Sequence, residues 1–203
     1  GACMRARRNL KTFVLTLMSC LLPTLAIGQA TVNNYNSITD DRLINPEDSN
    51  WLSYRGTLDG WGYSALDEIN ERNVDELEPV WSFSTGVLGG HESPPIVNDG
   101  VMFITTPGNL LYAIEAASGD LLWRYQHDLP ETYIAFHRTN RGVALYGDKV
   151  YMATLDARVV ALDAATGEKL WDTAVQDNSF GYYITSAPLA IEDKIMVGAS
   201  GGE

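Results

Sequence analysis

The sequence predicts an all-β chain carrying part of a β-propeller, and three observations lead there. A turn of the pattern Ala-x-acid-Ala-x-hydroxyl-Gly occurs twice, at 113–123 (AIEAASGDLLW) and 161–171 (ALDAATGEKLW), and each copy runs on to a tryptophan. Trp123 and Trp171 are 48 residues apart, and Trp81 in EPVWSF precedes Trp123 by 42, the period of one four-stranded propeller blade. Turn-forming triplets then recur at one place in the repeat, as Asn98-Asp99-Gly100, Gly147-Asp148-Lys149 and Glu192-Asp193-Lys194.

Residues 1–30 read as a secretory signal and lie outside the fold. Arg5, Arg7, Arg8 and Lys11 follow Met4, an apolar stretch covers 13–27, and Gly28-Gln29-Ala30 offers small residues for cleavage. Pro23 interrupts the apolar run, which is short for a bilayer span. The twin-arginine and lipoprotein-box patterns around Arg7-Arg8 and Cys20 match only loosely, because the apolar run continues past that cysteine. Both cysteines, Cys3 and Cys20, fall in this segment, so the remainder relies on packing rather than disulfides. The remainder, 31–203, keeps 10 of the 14 Lys and Arg against all 26 Asp and Glu, a formal charge of about −16. Such a surface argues against nucleic acid and anionic membrane as partners, since phosphate binding is driven by Lys and Arg.

Residues 31–50 are polar and read as an extended arm. Trp51, Tyr54, Trp61 and Tyr63 with their glycines suggest a packed irregular segment, and 66–77 (LDEINERNVDEL) is helix-like, with Leu66, Ile69, Val74 and Leu77 at three- to five-residue spacing. Strands follow at 101–104, 110–114, 143–146, 150–153, 159–162 and 194–197, short runs rich in β-branched and aromatic residues. Gly119 and Gly167 supply the positive φ that closes a bulged hairpin, and the tryptophan beyond each covers the neighbouring blade, which cannot bury both of its faces alone. About two blades are complete, with a third beginning near Ile184, whereas closed propellers need at least four. The chain is therefore expected to be the N-terminal part of a longer propeller, with its domain running from residue 31 to 203.

The residues of 51–203 resemble the periplasmic quinoprotein alcohol dehydrogenases, eight-bladed propellers that carry pyrroloquinoline quinone (PQQ) and a metal ion on the axis. Asp67-Glu68-Ile69-Asn70 leading to Trp81-Ser82-Phe83 resembles the family's opening segment. Gly90-His91-Glu92-Ser93-Pro94-Pro95, Asn140-Arg141-Gly142-Val143-Ala144, Ile184-Thr185-Ser186-Ala187-Pro188 and Gly198-Ala199-Ser200-Gly201-Gly202-Glu203 resemble four successive cofactor loops. The resemblance implies that Glu92 bonds the cofactor edge and that Arg141 makes charge-assisted bonds to its oxygens. Thr185 and Ser200 would donate hydroxyls, and the N–H groups of Gly201 and Gly202 would form an anion-binding concavity. Glu203 matches the first metal-ligating carboxylate of a Ca²⁺ or lanthanide site, whose other oxygens would come from PQQ and from residues outside this chain. His91 and His137 are read as structural.

One departure stands out. Where most characterised members carry two adjacent cysteines in a disulfide against the cofactor, this chain has Ala135-Phe136, and Phe136 would offer a flat apolar face instead. The implied activity is oxidation of an alcohol to an aldehyde or ketone, with electrons passed to a periplasmic c-type cytochrome. The expected aspartate base lies outside this chain, and no C-x-x-C-H haem motif occurs in it. Peripheral membrane association is compatible with this reading. The alternative is a cofactor-free propeller scaffold of the outer-membrane assembly lipoprotein type, which would not need Glu92, Arg141, Thr185 and Glu203 to converge.

Overall fold

The computed structural model describes residues 30–202, so the signal segment expected at 1–30 falls, but for Ala30, outside the described residues, as does Glu203. Two four-stranded antiparallel sheets form the body. The first contains β1 (Ile96–Asn98), β2 (Val101–Thr106), β3 (Leu110–Glu115) and β4 (Leu121–Gln126), in that spatial order. The second contains β5 (Val143–Tyr146), β6 (Lys149–Ala153), β7 (Arg158–Asp163) and β8 (Lys169–Ala174). A hairpin of β9 (Leu189–Ile191) and β10 (Lys194–Met196) opens a third. Each sheet is a meander, the strand order of one propeller blade. All six expected strands are present, and β1, β4, β8 and β9 complete the blades around them.

The repeat extends to the defects. β3 slips against β4 between Ala113 and Ile114, and β7 slips against β8 between Ala161 and Leu162, at the same step of the motif. Each bulge twists the outer strand and leads into the glycine turn. Gly119 (φ 79°) and Gly167 (φ 74°) need their missing side chain for a second reason: a Cβ would lie 2.6 Å from the ring of Trp81 and of Trp123, respectively. Each indole also donates across to the next blade, Trp81 Nε1 to the Ala116 carbonyl at 3.0 Å and Trp123 Nε1 to that of Ala164 at 3.1 Å. One tryptophan thus covers the turn of the blade that follows it, as the repeat predicts. Trp123 is fully buried and packs on Phe103 at 5.8 Å between ring centroids.

Trp81 itself sits on an extended segment, 79–88, that joins no ladder among the described residues. Its side chains nevertheless alternate. Trp81, Phe83, Thr85 and Val87 are half-buried while Val80, Ser82, Ser84 and Leu88 face solvent, the period of a strand with one covered face. Phe83 meets Tyr112 edge-on at 5.4 Å, and the Tyr112 hydroxyl donates to the Thr85 carbonyl at 2.8 Å.

The helix expected over 66–77 is absent, and only a 3-10 turn, Val74–Glu76, forms there. Leu66, Ile69, Val74 and Leu77 are all exposed, so their uneven spacing never meets a surface to bury against. Asparagine chemistry decides the local structure: Asn73 accepts from the Asn70 N–H at 2.8 Å and donates to the Glu68 carbonyl at 2.7 Å. Side chains that satisfy the backbone this way compete with the helical ladder.

The arm crosses one end of three blades in succession. Asn98 donates to the Asn36 carbonyl at 2.8 Å, Ile38 pairs with Gly147, and the Glu192 N–H donates to Asp40 at 2.8 Å. Those three partners are the equivalent first hairpins of blades one, two and three. A short helix, α1 (Asp40–Ile44), is capped by Thr39 and places Arg42 on Glu47 at 2.8 Å and on Asn98 at 3.0 Å.

Candidate functional site

Chain direction places the candidate residues. In each blade the first strand begins at the end opposite the arm, so the loops 127–142 and 175–188 and the segment before β1 all emerge on one face. Glu92 lies four residues before β1, Arg141 two before β5 and Thr185 four before β9. Three equivalent points of successive blades therefore carry a carboxylate, a guanidinium and a hydroxyl, and the structure brings them into contact. Arg141 Nη2 is 2.9 Å from the Glu92 carboxylate, and Nη1 donates to Thr185 Oγ1 at 2.5 Å. The Arg141 N–H also donates to the Thr185 carbonyl at 2.9 Å. Both charged side chains remain open to solvent, 40% for Arg141 and 44% for Glu92. Gly142, at φ 112°, takes a backbone conformation that side chains rarely adopt, and Ser93, Pro94 and Ala187 lie at ordinary contact distance from where its Cβ would be.

Ser200, Gly201 and Gly202 join this group through the backbone. Ser200 and Tyr183 exchange hydrogen bonds of 2.8 and 2.9 Å, which ties the fourth loop to the strand segment leading to Thr185. The glycines are demanded by close approach: a Cβ on Gly201 would collide with the Gly181 carbonyl, and one on Gly202 with the Tyr182 ring. Glu203 lies outside the described residues, and among those residues no group of three His, Cys, Asp or Glu side chains gathers as a metal site. An apolar cavity of about 230 Å³ lies between 43–60 and strands β5 and β9, and none of the four loops' polar residues lines it.

Phe136 is 83% exposed, with its ring edge-on to Tyr183 at 6.3 Å. Asn178 holds that loop, accepting from the Ile134 N–H at 2.9 Å and donating to the carbonyls of Ile134 and Tyr182 at 2.8 and 2.6 Å. Asn178 and Tyr183 are residues that sequence reasoning passed over, and so is Asn140, a fully buried amide beside Arg141. Their only signal was an amide or aromatic within a few residues of a candidate. His91 bonds Thr85 and Gly89 within its own segment, which suits a structural part.

A second buried polar group links blades one and two on the same face. His127 Nε2 lies 3.0 Å from Asp156, whose carboxylate also accepts from the Thr154 hydroxyl at 2.6 Å. Burial by itself raises the Asp156 pKa, but the bonds from His127 and Thr154 outweigh it and hold the group below its ordinary value.

Comparison with known proteins places this geometry. Residues 51–203 match a family described as the PQQ glucose/ethanol/alcohol dehydrogenase β-propeller domain. The quinoprotein alcohol dehydrogenase PedH of Pseudomonas putida is 39% identical over 202 residues, 97% of this chain and 33% of its own. Among solved structures, the quinohemoprotein alcohol dehydrogenase ADHIIG of Pseudomonas putida HK5 superposes with a TM-score of 0.77 at 35% identity, over 84% of this chain and 26% of that one. A europium-containing methanol dehydrogenase superposes at 0.75 and 37%, over 80% of this chain and 30% of that one. The chain spans about a third of the length of the curated relatives it matches. With two blades, a third begun and the tryptophan repeat between them, the chain belongs to the PQQ glucose/ethanol/alcohol dehydrogenase β-propeller family.

Proposed function

We propose that the intact protein is a periplasmic PQQ- and metal-dependent dehydrogenase that oxidises an alcohol to an aldehyde or ketone and passes electrons to a c-type cytochrome. The observation that carries this reading is the convergence of Glu92, Arg141 and Thr185 from three successive blades. Their chemistry suits a flat tricarboxylic acid. An arginine has five N–H donors, and its contacts to Glu92 and Thr185 leave others for carboxylate or carbonyl oxygens. Because Thr185 Oγ1 accepts from Arg141, its own proton is free to be donated outward. Glu92, 2.9 Å from the guanidinium, keeps the local charge near balance. Ser200 and the amides of Gly201 and Gly202 extend the donor set along the fourth loop.

PQQ, when bound, supplies the two-electron acceptor. Arg141 and Thr185 would bind and orient it, and the exposed Phe136 ring would cover its flat face. We place the metal, Ca²⁺ or a lanthanide, at Glu203 together with groups outside this chain, and the general base on an aspartate likewise outside it. Peripheral association with the membrane is part of the same proposal.

The test is a titration of the metal-free intact protein with PQQ, with Ca²⁺ or La³⁺ and without metal, followed by dye-linked oxidation of an alcohol panel. PQQ binding with metal-dependent turnover is the expected result. No PQQ binding under any metal would overturn the reading and leave a cofactor-free propeller scaffold. Arg141→Ala should loosen PQQ by about tenfold to a hundredfold, the loss of a charge-assisted bond.

A further inference from the structure

We propose that Asn140 is a positioning residue for Arg141, and that the β6–β7 turn sets the spacing between Arg141 and Thr185; the inference rests on the cofactor-binding reading of that site. Asn140 is almost fully buried, and its side chain uses both ends. Its Nδ2 donates to Asn109 Oδ1 at 3.1 Å and to the Ala153 carbonyl at 2.9 Å, while Oδ1 accepts from the Gly142 N–H at 3.0 Å. Its carbonyl accepts from the Thr105 hydroxyl at 3.3 Å. The residue before Arg141 is thus bolted to blade one through Asn109 and Thr105, and to blade two through Ala153.

The carbonyl next in sequence does the same for Thr185. Thr154 accepts from the N–H of Ile184 at 3.2 Å, and Ile184 is the residue before Thr185. The two anchor points of the site are therefore neighbouring peptides, Ala153 and Thr154, at the end of β6. The trans peptide between them keeps consecutive Cα atoms about 3.8 Å apart, and the pairing of Ala153 with Val159 and the 2.9 Å bond from the Thr154 N–H to the Arg158 carbonyl fix the direction in which the two carbonyls point. The 2.5 Å contact between the Arg141 guanidinium and the Thr185 hydroxyl inherits that rigidity. The turn is braced in its own right by Thr154 and His127 on Asp156.

A buried amide with every donor engaged could equally be plain architecture, so the test must ask whether Asn140 acts through Arg141. In the intact protein, PQQ affinity is measured with La³⁺ for the wild type, Asn140→Ala, Arg141→Ala and the double variant, with tryptophan fluorescence reporting the fold. Asn140→Ala should weaken PQQ about tenfold in the wild type and less than about twofold once Arg141 is gone, because residues acting as one unit are non-additive. Equal losses on both backgrounds, or no loss in the wild type, would overturn the proposal. Should Asn140→Ala fail to fold, Thr105→Val removes only the bond to the Asn140 carbonyl and is read in the same cycle, with a loss of about threefold expected. A wild type that binds no PQQ would overturn the functional reading and this inference with it, which separates the two failures.

Discussion

Phe136 meets Tyr183 edge-on and, among the described residues, is 83% exposed. Truncating it removes little buried area, so Phe136→Ala should shift the thermal midpoint by no more than about 2 °C. The same variant should weaken PQQ about threefold to tenfold, the value of an offset aromatic contact. Unchanged PQQ affinity in a folded variant would remove the ring from the site. Glu92, Arg141 and Thr185 were legible in sequence through the resemblance of their loops to known cofactor loops, since each taken alone has an ordinary structural reading. Asn140 and Asn178 were not. Their partners are carbonyls of Ala153, Ile134 and Tyr182, and a carbonyl leaves no mark in the letters that would say which amide it awaits.

At the level of elements, strands with β-branched interiors were readable, and those without were harder to find. β1 and β9 are three residues long, and β8 alternates weakly because it lies at an outer edge with most of its residues exposed. The arm was expected to be extended, but not where it would dock. Arg42, which joins it to Asn98, is held by Glu47, whose carboxyl is pushed down to about 2 from an ordinary 4.5 by the bond from Arg42 and then by that from Asn50. Asp172 is held down to about 2 by Lys169 and then Arg158. A carboxylate with a lowered pKa contributes its full stabilisation above its unfolded value and loses it as pH falls toward the folded one. The thermal midpoint of the intact protein should therefore decline between about pH 4.5 and about pH 2. Glu47→Gln should start lower at pH 6 and fall by less over that window, as followed by circular dichroism; an identical slope would mean that Glu47 contributes nothing there.

Across the whole molecule, the blades hold together through repeated indole-on-glycine contacts as well as through any one core. Gly167→Ala places a methyl group into the Trp123 ring and forces a non-glycine residue to φ 74°, so it should destabilise by about 2–4 kcal/mol. A lowered urea midpoint with an unchanged slope would show this; an unchanged midpoint would mean that the blades can separate without cost. The propeller class was legible because a repeat displays the same solution more than once, whereas the arm occurs once and had no second copy to explain it.

The arm also orders events in time. Its partners lie progressively further along the chain, 62 residues on for the bond between Asn36 and Asn98 and 152 for that between Asp40 and Glu192. Loop closure over such spans comes late, after local hairpins have formed. A segment that leaves the ribosome before any blade must therefore wait for all three, and each hairpin that arrives secures one more of its residues. Docking of the arm becomes a record of how much of the propeller has been built.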